Sequence, residues 1–207
     1  MKAKIKIPNS LSEITLEQYQ KYLNIEDPTD QAIIATLCDI PYNVIRQITR
    51  TSVTEIAESL KELLNQEVSL VPTFQMGSMT YGFIPNLDEI TFGEYIDCTT
   101  YLKEDWEDVH KLMAVLYRPV TNTYKDKYQI EEYKVSLERE QLMKTMPLNV
   151  ALGAMVFFCH LAADLLSVTQ KYLQEEVEAH LLKNGDGILR STDWQMKTSK
   201  NLTISPN

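Results

Sequence analysis

Hydrophobic and polar positions along this chain alternate at two spacings. Lys2, Lys4 and Lys6 interleave with Ala3, Ile5 and Ile7, the period-two pattern of a half-buried strand, and the lysines mark it as an edge. A second alternating run, "TFQMGSMTYGFI", has Gly77-Ser78 at its middle, which predicts a β-hairpin from Thr73 to Ile84 able to join the first strand in a small sheet. Elsewhere the spacing is helical. It predicts helices from Leu16 to Leu23, from Thr29 to Asp39 behind Asp27-Pro28, and from Val53 to Asn65 with Ser52 and Glu55 as the capping pair. Further helices are expected from Phe92 to Leu102 and from Trp106 to Tyr117. The run "TNTYKDKYQIEEYKVSLERE" has no steady period and reads as an inserted loop or short helix. Pro147 then opens the longest helix, which runs to Leu182 before Gly185 stops it.

Two stretches are nearly the same. "KIPNSLSEITLEQY" near the start and "FIPNLDEITFGEY" further on each carry Ile-Pro-Asn, a leucine four positions before a threonine, and the same helix start. In the first, Thr15 is the expected N-cap and Gln18 the N3 residue that reaches back, while Ile14 and Tyr19 form a hydrophobic staple. Thr91, Glu94, Ile90 and Tyr95 take the same roles in the second. Asp30 and Pro41 in the following helix are spaced as Asp108 and Pro119 are, which favours duplication over convergence on a good helix start.

The fold class expected is therefore mainly α with a small antiparallel β element. Its parts are pseudo-duplicated strand-turn-helix-helix units at about 1–70 and 72–120, an insertion at 121–146 and a long helix at 147–182. Residues 1–183 form a single mostly helical domain, and 184–207 an extended C-terminal arm. An unbroken last helix would be about 52 Å long, against about 43 Å across a compact domain of this size. It must project or bend. Beyond Leu166 its apolar residues thin to a stripe of Leu173, Val177 and Leu181, which asks for a partner.

Composition narrows the function classes. With 44% hydrophobic and 24% charged residues the chain has the balance of a globular protein. Cys38, Cys98 and Cys159 lie far apart with no C-x-x-C pair, as expected of reduced thiols in an intracellular protein. The opening ten residues lack the apolar run of a secretory signal. The stretch from Val150 to Leu166 is interrupted by His160 and Asp164 and is shorter than the ~20 residues a membrane span needs, so a core helix is expected and no membrane partner. A net charge of −9 argues against sequence-specific nucleic-acid binding, which requires clustered Lys and Arg.

No catalytic residue, cofactor or metal site is expected. The acidic run around Glu104, Asp105, Glu107, Asp108 and His110 offers ordinary ligand types, but acids in a first helical turn also complement the helix dipole. Cys159 and His160 are adjacent and cannot both face one metal from a helix. No nucleophile elbow, zinc-protease motif, phosphate loop or dinucleotide fingerprint is present. Tyr117, Tyr124, Tyr128 and Tyr133 interleave with basic residues, but Glu131, Glu132, Glu138 and Glu140 dilute the charge and favour a protein-contact loop over a single-strand binder.

The strings "YGFIPNLDEITFGEYID", "LMAVLYRP" and "MPLNVALGAMVFF", in that order, resemble a family of roughly 200-residue virion and assembly proteins of tailed phages that infect Bacteroidota, the crAss-like phages and their relatives. The resemblance extends from about Ile5 to Leu182. It implies a non-enzymatic structural protein of the virion, assembled in the bacterial host cytoplasm. The leading form is a homo-oligomeric ring protein of the head-to-tail connector or tail at the portal vertex, touching itself, the portal and neighbouring tail or ring proteins. A tail assembly chaperone not retained in the virion is the alternative, followed by a virion cargo protein or a small metal-dependent enzyme built around His110. On the residues themselves, contacts are expected at Met76, Met79, Tyr81 and Phe83 of the hairpin, at Tyr124 and Tyr128 of the insertion, and at Leu173, Val177 and Leu181. The C-terminal arm adds Trp194, Leu202 and Ile204, with a strand expected at 201–205.

Overall fold

The computed structural model describes residues 6–102, 106–125 and 127–183, with the side chains of 162, 165, 166 and 177–183 left out of the description. By its internal contacts the chain divides into two units, Met1–His160 and Leu161–Asn207.

The first unit begins with the duplicated device. A 3-10 turn at Leu11–Glu13 leads to Thr15, whose side chain accepts from the Gln18 N–H while the Gln18 side chain accepts from the Thr15 N–H, and helix α1 (Leu16–Leu23) follows. The second copy repeats each step, with a 3-10 turn at Leu87–Glu89, the Thr91 and Glu94 capping box, and α5 (Phe92–Tyr101). The next helix packs back in both, α2 (Asp30–Leu37) on α1 and α6 (Val109–Leu116) on α5. Beyond that the copies part. Cys38 caps α2, Asp39 turns the chain at φ 52°, and α3 (Tyr42–Ile45) follows, whereas α6 passes straight into strand β3 (Tyr117–Tyr124). The staple is also unequal, since Tyr19 is half-buried and Tyr95 exposed.

Several boundaries differ from those expected. Helix α4 (Arg50–Leu64) starts one turn early because Thr49, not Ser52, caps it, its hydroxyl oxygen accepting from the Ser52 N–H. Helix α6 starts at Val109 and not at Trp106. The hairpin β1 (Thr73–Met76) and β2 (Met79–Phe83) forms as expected, with Gly77 at φ 61° in the turn. Its sheet partner is β3, not the N-terminal segment: Lys6, Ile7 and Pro8 form no strand, and 1–5 lie outside the described residues. The stretch read as a loop supplies the end of β3, then β4 (Lys127–Ile130) and α7 (Leu137–Met143), giving an antiparallel sheet of order β1-β2-β3-β4. Pro119 lies inside β3. It lacks a donor, yet its carbonyl accepts from the Glu131 N–H, and a register shift follows between Val120 and Asn122.

Two apolar clusters fill this unit. One joins the sheet to α6, α7 and the start of α8 (Leu148–Lys183), through Phe74, Tyr81, Phe83, Leu112, Leu116, Tyr117, Met143 and Ala151. The other lies among α2, α3 and α4, with Ile14, Ile33, Leu37, Leu60 and Leu148 buried. The first turn of α1 is tied to the start of α8: the N–H groups of Leu16 and Glu17, which a helix leaves unpaired, donate to Met146 and Lys144, and Leu148 N–H returns a bond to Ile14.

Within α8, an unbroken helix of 36 residues, side chains are buried or half-buried up to Phe158. In the second unit every side chain described on it is exposed. Among the described residues no helix is long and apolar enough to cross a membrane.

Candidate interaction surface

Helix α5 presents the clearest functional geometry. At 3.6 residues per turn, Glu94, Asp97, Cys98 and Tyr101 fall on one side and Phe92, Tyr95, Ile96 and Thr99 on the other. The polar side faces inward. Arg118 Nη2 lies 2.6 Å from Glu94 Oε1, both side chains buried, and the second oxygen of Glu94 accepts from the Thr91 N–H at 2.6 Å. The Arg118 guanidinium sits over the ring of Tyr133, whose hydroxyl donates to Asp97. Arg118 Nε is buried with no hydrogen-bond partner among the described residues. Burial, with help from the carboxylates of Glu94 and Asp97, pushes the Cys98 thiol up to about 12.

A polar network inside therefore leaves the apolar residues of α5 outside. Phe92 is 77% exposed, Tyr95 53% and Ile96 43%. The hydroxyl of Thr99 donates to the carbonyls of Tyr95 and Ile96, and that of Thr100 to Ile96, so both side chains satisfy their polar atoms locally. Sequence reasoning placed Tyr95 in a staple and passed over Phe92 and Ile96. The i, i+3, i+4 spacing of the three was visible, but such a stripe ordinarily marks the buried side of a helix. Only the pairing of Glu94 with a buried arginine, 24 positions away in sequence, reverses it.

The residues expected at contacts divide. Tyr81 and Phe83 are not contact residues: they lie in the core of this chain, Tyr81 stacked on Phe74 and Phe83 packed against Tyr117, Phe157 and Phe158, because β3 and α8 cover the hairpin face they occupy. Tyr128 is half-buried and engaged internally, its hydroxyl donating to the carbonyls of Phe83 and Pro72 while its ring lies over Gly82. Met76 is half-buried against the sheet cluster. Met79 and Tyr124 are exposed, Tyr124 beneath the Lys125 ammonium. Met79 borders an open groove of about 530 Å³ with Ser78, Thr80 and Val120 to Thr123. Leu173 is exposed on α8. The side chains of Val177 and Leu181, and all of Trp194, Leu202, Ile204 and the strand at 201–205, lie outside the described residues, as do Glu104 and Asp105.

His110 is buried, and its Nδ1 lies 3.0 Å from the Glu107 carbonyl. Burial and the charge of Lys144 hold its pKa below the ordinary value. Among the described residues no group of three His, Cys, Asp or Glu side chains is placed to hold a metal. Gln20 of α1 donates to the carbonyls of Trp106 and Glu107, and Tyr19 meets Trp106 edge to face, so this segment anchors one repeat to the other.

Compared with known protein families, with curated proteins and with solved structures, the chain matches none.

Proposed function

We propose that this chain is a non-enzymatic structural protein of a tailed-phage particle, a ring component of the head-to-tail connector or tail at the portal vertex that assembles with copies of itself. The observation that carries the assembly role is the outward apolar face of α5, held in place by the buried Glu94–Arg118 pair. A contiguous apolar patch on a well-packed surface is characteristic of an interaction site. A cyclic ring needs a second, different face on the same subunit, and the exposed Met79 and Tyr124 at the far end of the sheet offer one. The resemblance of the strings around Thr91, Leu116 and Leu148 supplies the phage setting. The acidic balance fits a wall past which DNA slides, because like charge keeps phosphate from sticking.

Mass spectrometry and electron microscopy of purified particles test the reading. A fixed copy number in the mature virion with density in a ring at the portal vertex is expected. Absence from finished particles overturns it and leaves the assembly-chaperone role.

A further inference from the structure

A groove of about 560 Å³ opens where the start of α2 meets α3 and α4. Its floor is apolar, with Ile45 and Val53 buried and Ile48 half-buried. Its rim is basic. Arg46 ends α3 and Arg50 begins α4, both exposed and neither in an ion pair among the described residues. Asp30, the acid in the lining, is tied to Lys61 Nζ at 3.1 Å, and even alone it is outnumbered by the two arginines. The outward face of α5 has the complementary chemistry. Phe92 and Ile96 are exposed on it, and the 3-10 turn that leads into it carries the exposed acids Asp88 and Glu89, which form no ion pair among the described residues either. We infer that the groove receives α5 of a second copy of this chain, with Phe92 and Ile96 against its floor and Asp88 and Glu89 against Arg46 and Arg50. The inference rests on the assembly reading above and deepens it by naming the face that receives α5.

Three observations select that occupant. The first is the combination of floor and rim. A free anion would satisfy the arginines and leave the floor wet, whereas an apolar helix face with acids at its start engages both, as helices docked in grooves do. The second is charge. Two copies of a chain of net charge −9 repel each other unless acid is set against base where they meet. The groove beside Met79 is of similar size but has no charged residue in its lining among the described residues, so it offers Asp88 and Glu89 no counter-charge. The third is placement. The groove is built on the apolar cluster of α2, α3 and α4, while α5 packs on the cluster of the sheet and α6, so the two faces share no residue and one chain presents both. A contact between two different faces of the same subunit repeats head to tail, which is the form a ring requires.

Charge reversal on the full chain tests the pairing. The groove variant Arg46→Glu, Arg50→Glu and the turn variant Asp88→Lys, Glu89→Lys each set like charges across the contact, and each should weaken self-association by more than about tenfold in analytical ultracentrifugation. All four side chains are exposed, so the unfolding midpoints should stay where they are. Mixed in equal amounts, the two variants set opposite charges across every contact between unlike chains, and association should return. A mixture that stays dissociated, or charge variants that associate as the unaltered protein does, overturns the inference. Association that survives both charge variants and is lost in Met79→Asp moves the receiving face to the end of the sheet, which overturns this inference and leaves the assembly reading standing. An unaltered protein that is monomeric at the highest attainable concentration overturns it as well, and copy number in purified particles then decides the virion reading on its own.

Discussion

Arg118 and Glu94 meet at 2.6 Å in the interior, where the carboxylate also closes the capping box of α5. One side chain thus fixes the start of a helix and its attachment to β3. Removing either member of a buried pair leaves the other charge unpaired, at a cost of about 3–5 kcal/mol. Glu94→Ala and Arg118→Ala should each lose about that much in urea denaturation. Glu94→Gln keeps an acceptor for the Thr91 N–H and loses only the charge, so it should fall between Glu94→Ala and the loss of a cap. A Glu94→Gln protein as stable as the unaltered one would show that the charge of Glu94 contributes nothing.

The two threonine caps allow the repeat to be tested locally. Thr15→Ala and Thr91→Ala should each cost about 1 kcal/mol, because each removes the acceptor for the N3 N–H while the N3 side chain keeps its own bond. Equal losses, measured by thermal and urea unfolding, are the expected outcome. A loss at only one site would mean that tertiary ties, such as those of Leu16 and Glu17 to the 144–146 backbone, already compensate for the other.

These caps were legible in the sequence because their chemistry is complete within four residues. The hairpin around Gly77-Ser78 was legible for the same reason. Strand β3 was not. Pro119 argues against a strand on local grounds, and the pairing of Tyr81, Gly82 and Phe83 with Pro119, Arg118 and Tyr117 is decided by partners more than 30 positions away. The wrong assignment of Tyr81 and Phe83 to an interface followed directly, since without β3 and α8 over them they are too apolar for a free hairpin. The face of α5 failed differently: its pattern was plain and its direction was set by Arg118.

Gly153 marks the closest approach between α8 and the chain segment before β1. A Cβ there would lie 2.2 Å from the Ser69 carbonyl oxygen and 2.8 Å from its carbon, both backbone atoms. Gly153→Ala should therefore destabilise by about 1–3 kcal/mol despite the better helix propensity of alanine. A gain in stability on urea unfolding would mean that the 69–70 segment moves aside freely.

The thiols should separate by position and by pH. Burial pushes Cys38 up to about 11 and Cys98 to about 12, from an ordinary 9.0, whereas Cys159 is exposed on α8. At pH 8 a thiol reagent should label Cys159 of the native protein rapidly and the other two only after unfolding. Because the folded values lie above the unfolded ones, the unfolded chain loses these protons first. Stability contributed by Cys38 and Cys98 is complete below about pH 9 and is lost as pH rises towards 11 and 12. A Cys38→Ala, Cys98→Ala protein should show a shallower alkaline decline in unfolding free energy. An unchanged decline would assign it to other groups, such as Tyr117, whose burial also raises its pKa.

The outward face of α5 carries the assembly reading, and it allows surface and core effects to be told apart. The inward contacts of α5 are made by Glu94, Asp97, Cys98 and Tyr101, whereas Phe92 and Ile96 are exposed. Phe92→Ser and Ile96→Asp should therefore change unfolding free energy by no more than about 0.5 kcal/mol, as surface substitutions usually do. Their effect should fall on association. A single anchoring aromatic often carries ~2 kcal/mol or more of an interface, enough to weaken a repeated contact by more than tenfold at each subunit boundary. In analytical ultracentrifugation the unaltered protein should form discrete oligomers at high concentration, the Phe92→Ser protein should remain monomeric, and a Lys61→Ser control on α4 should behave as the unaltered protein does. Oligomers that persist in the Phe92→Ser, Ile96→Asp double variant would remove α5 from the contact, and a variant that unfolds would show that the face is supported from outside in ways the buried pair does not explain.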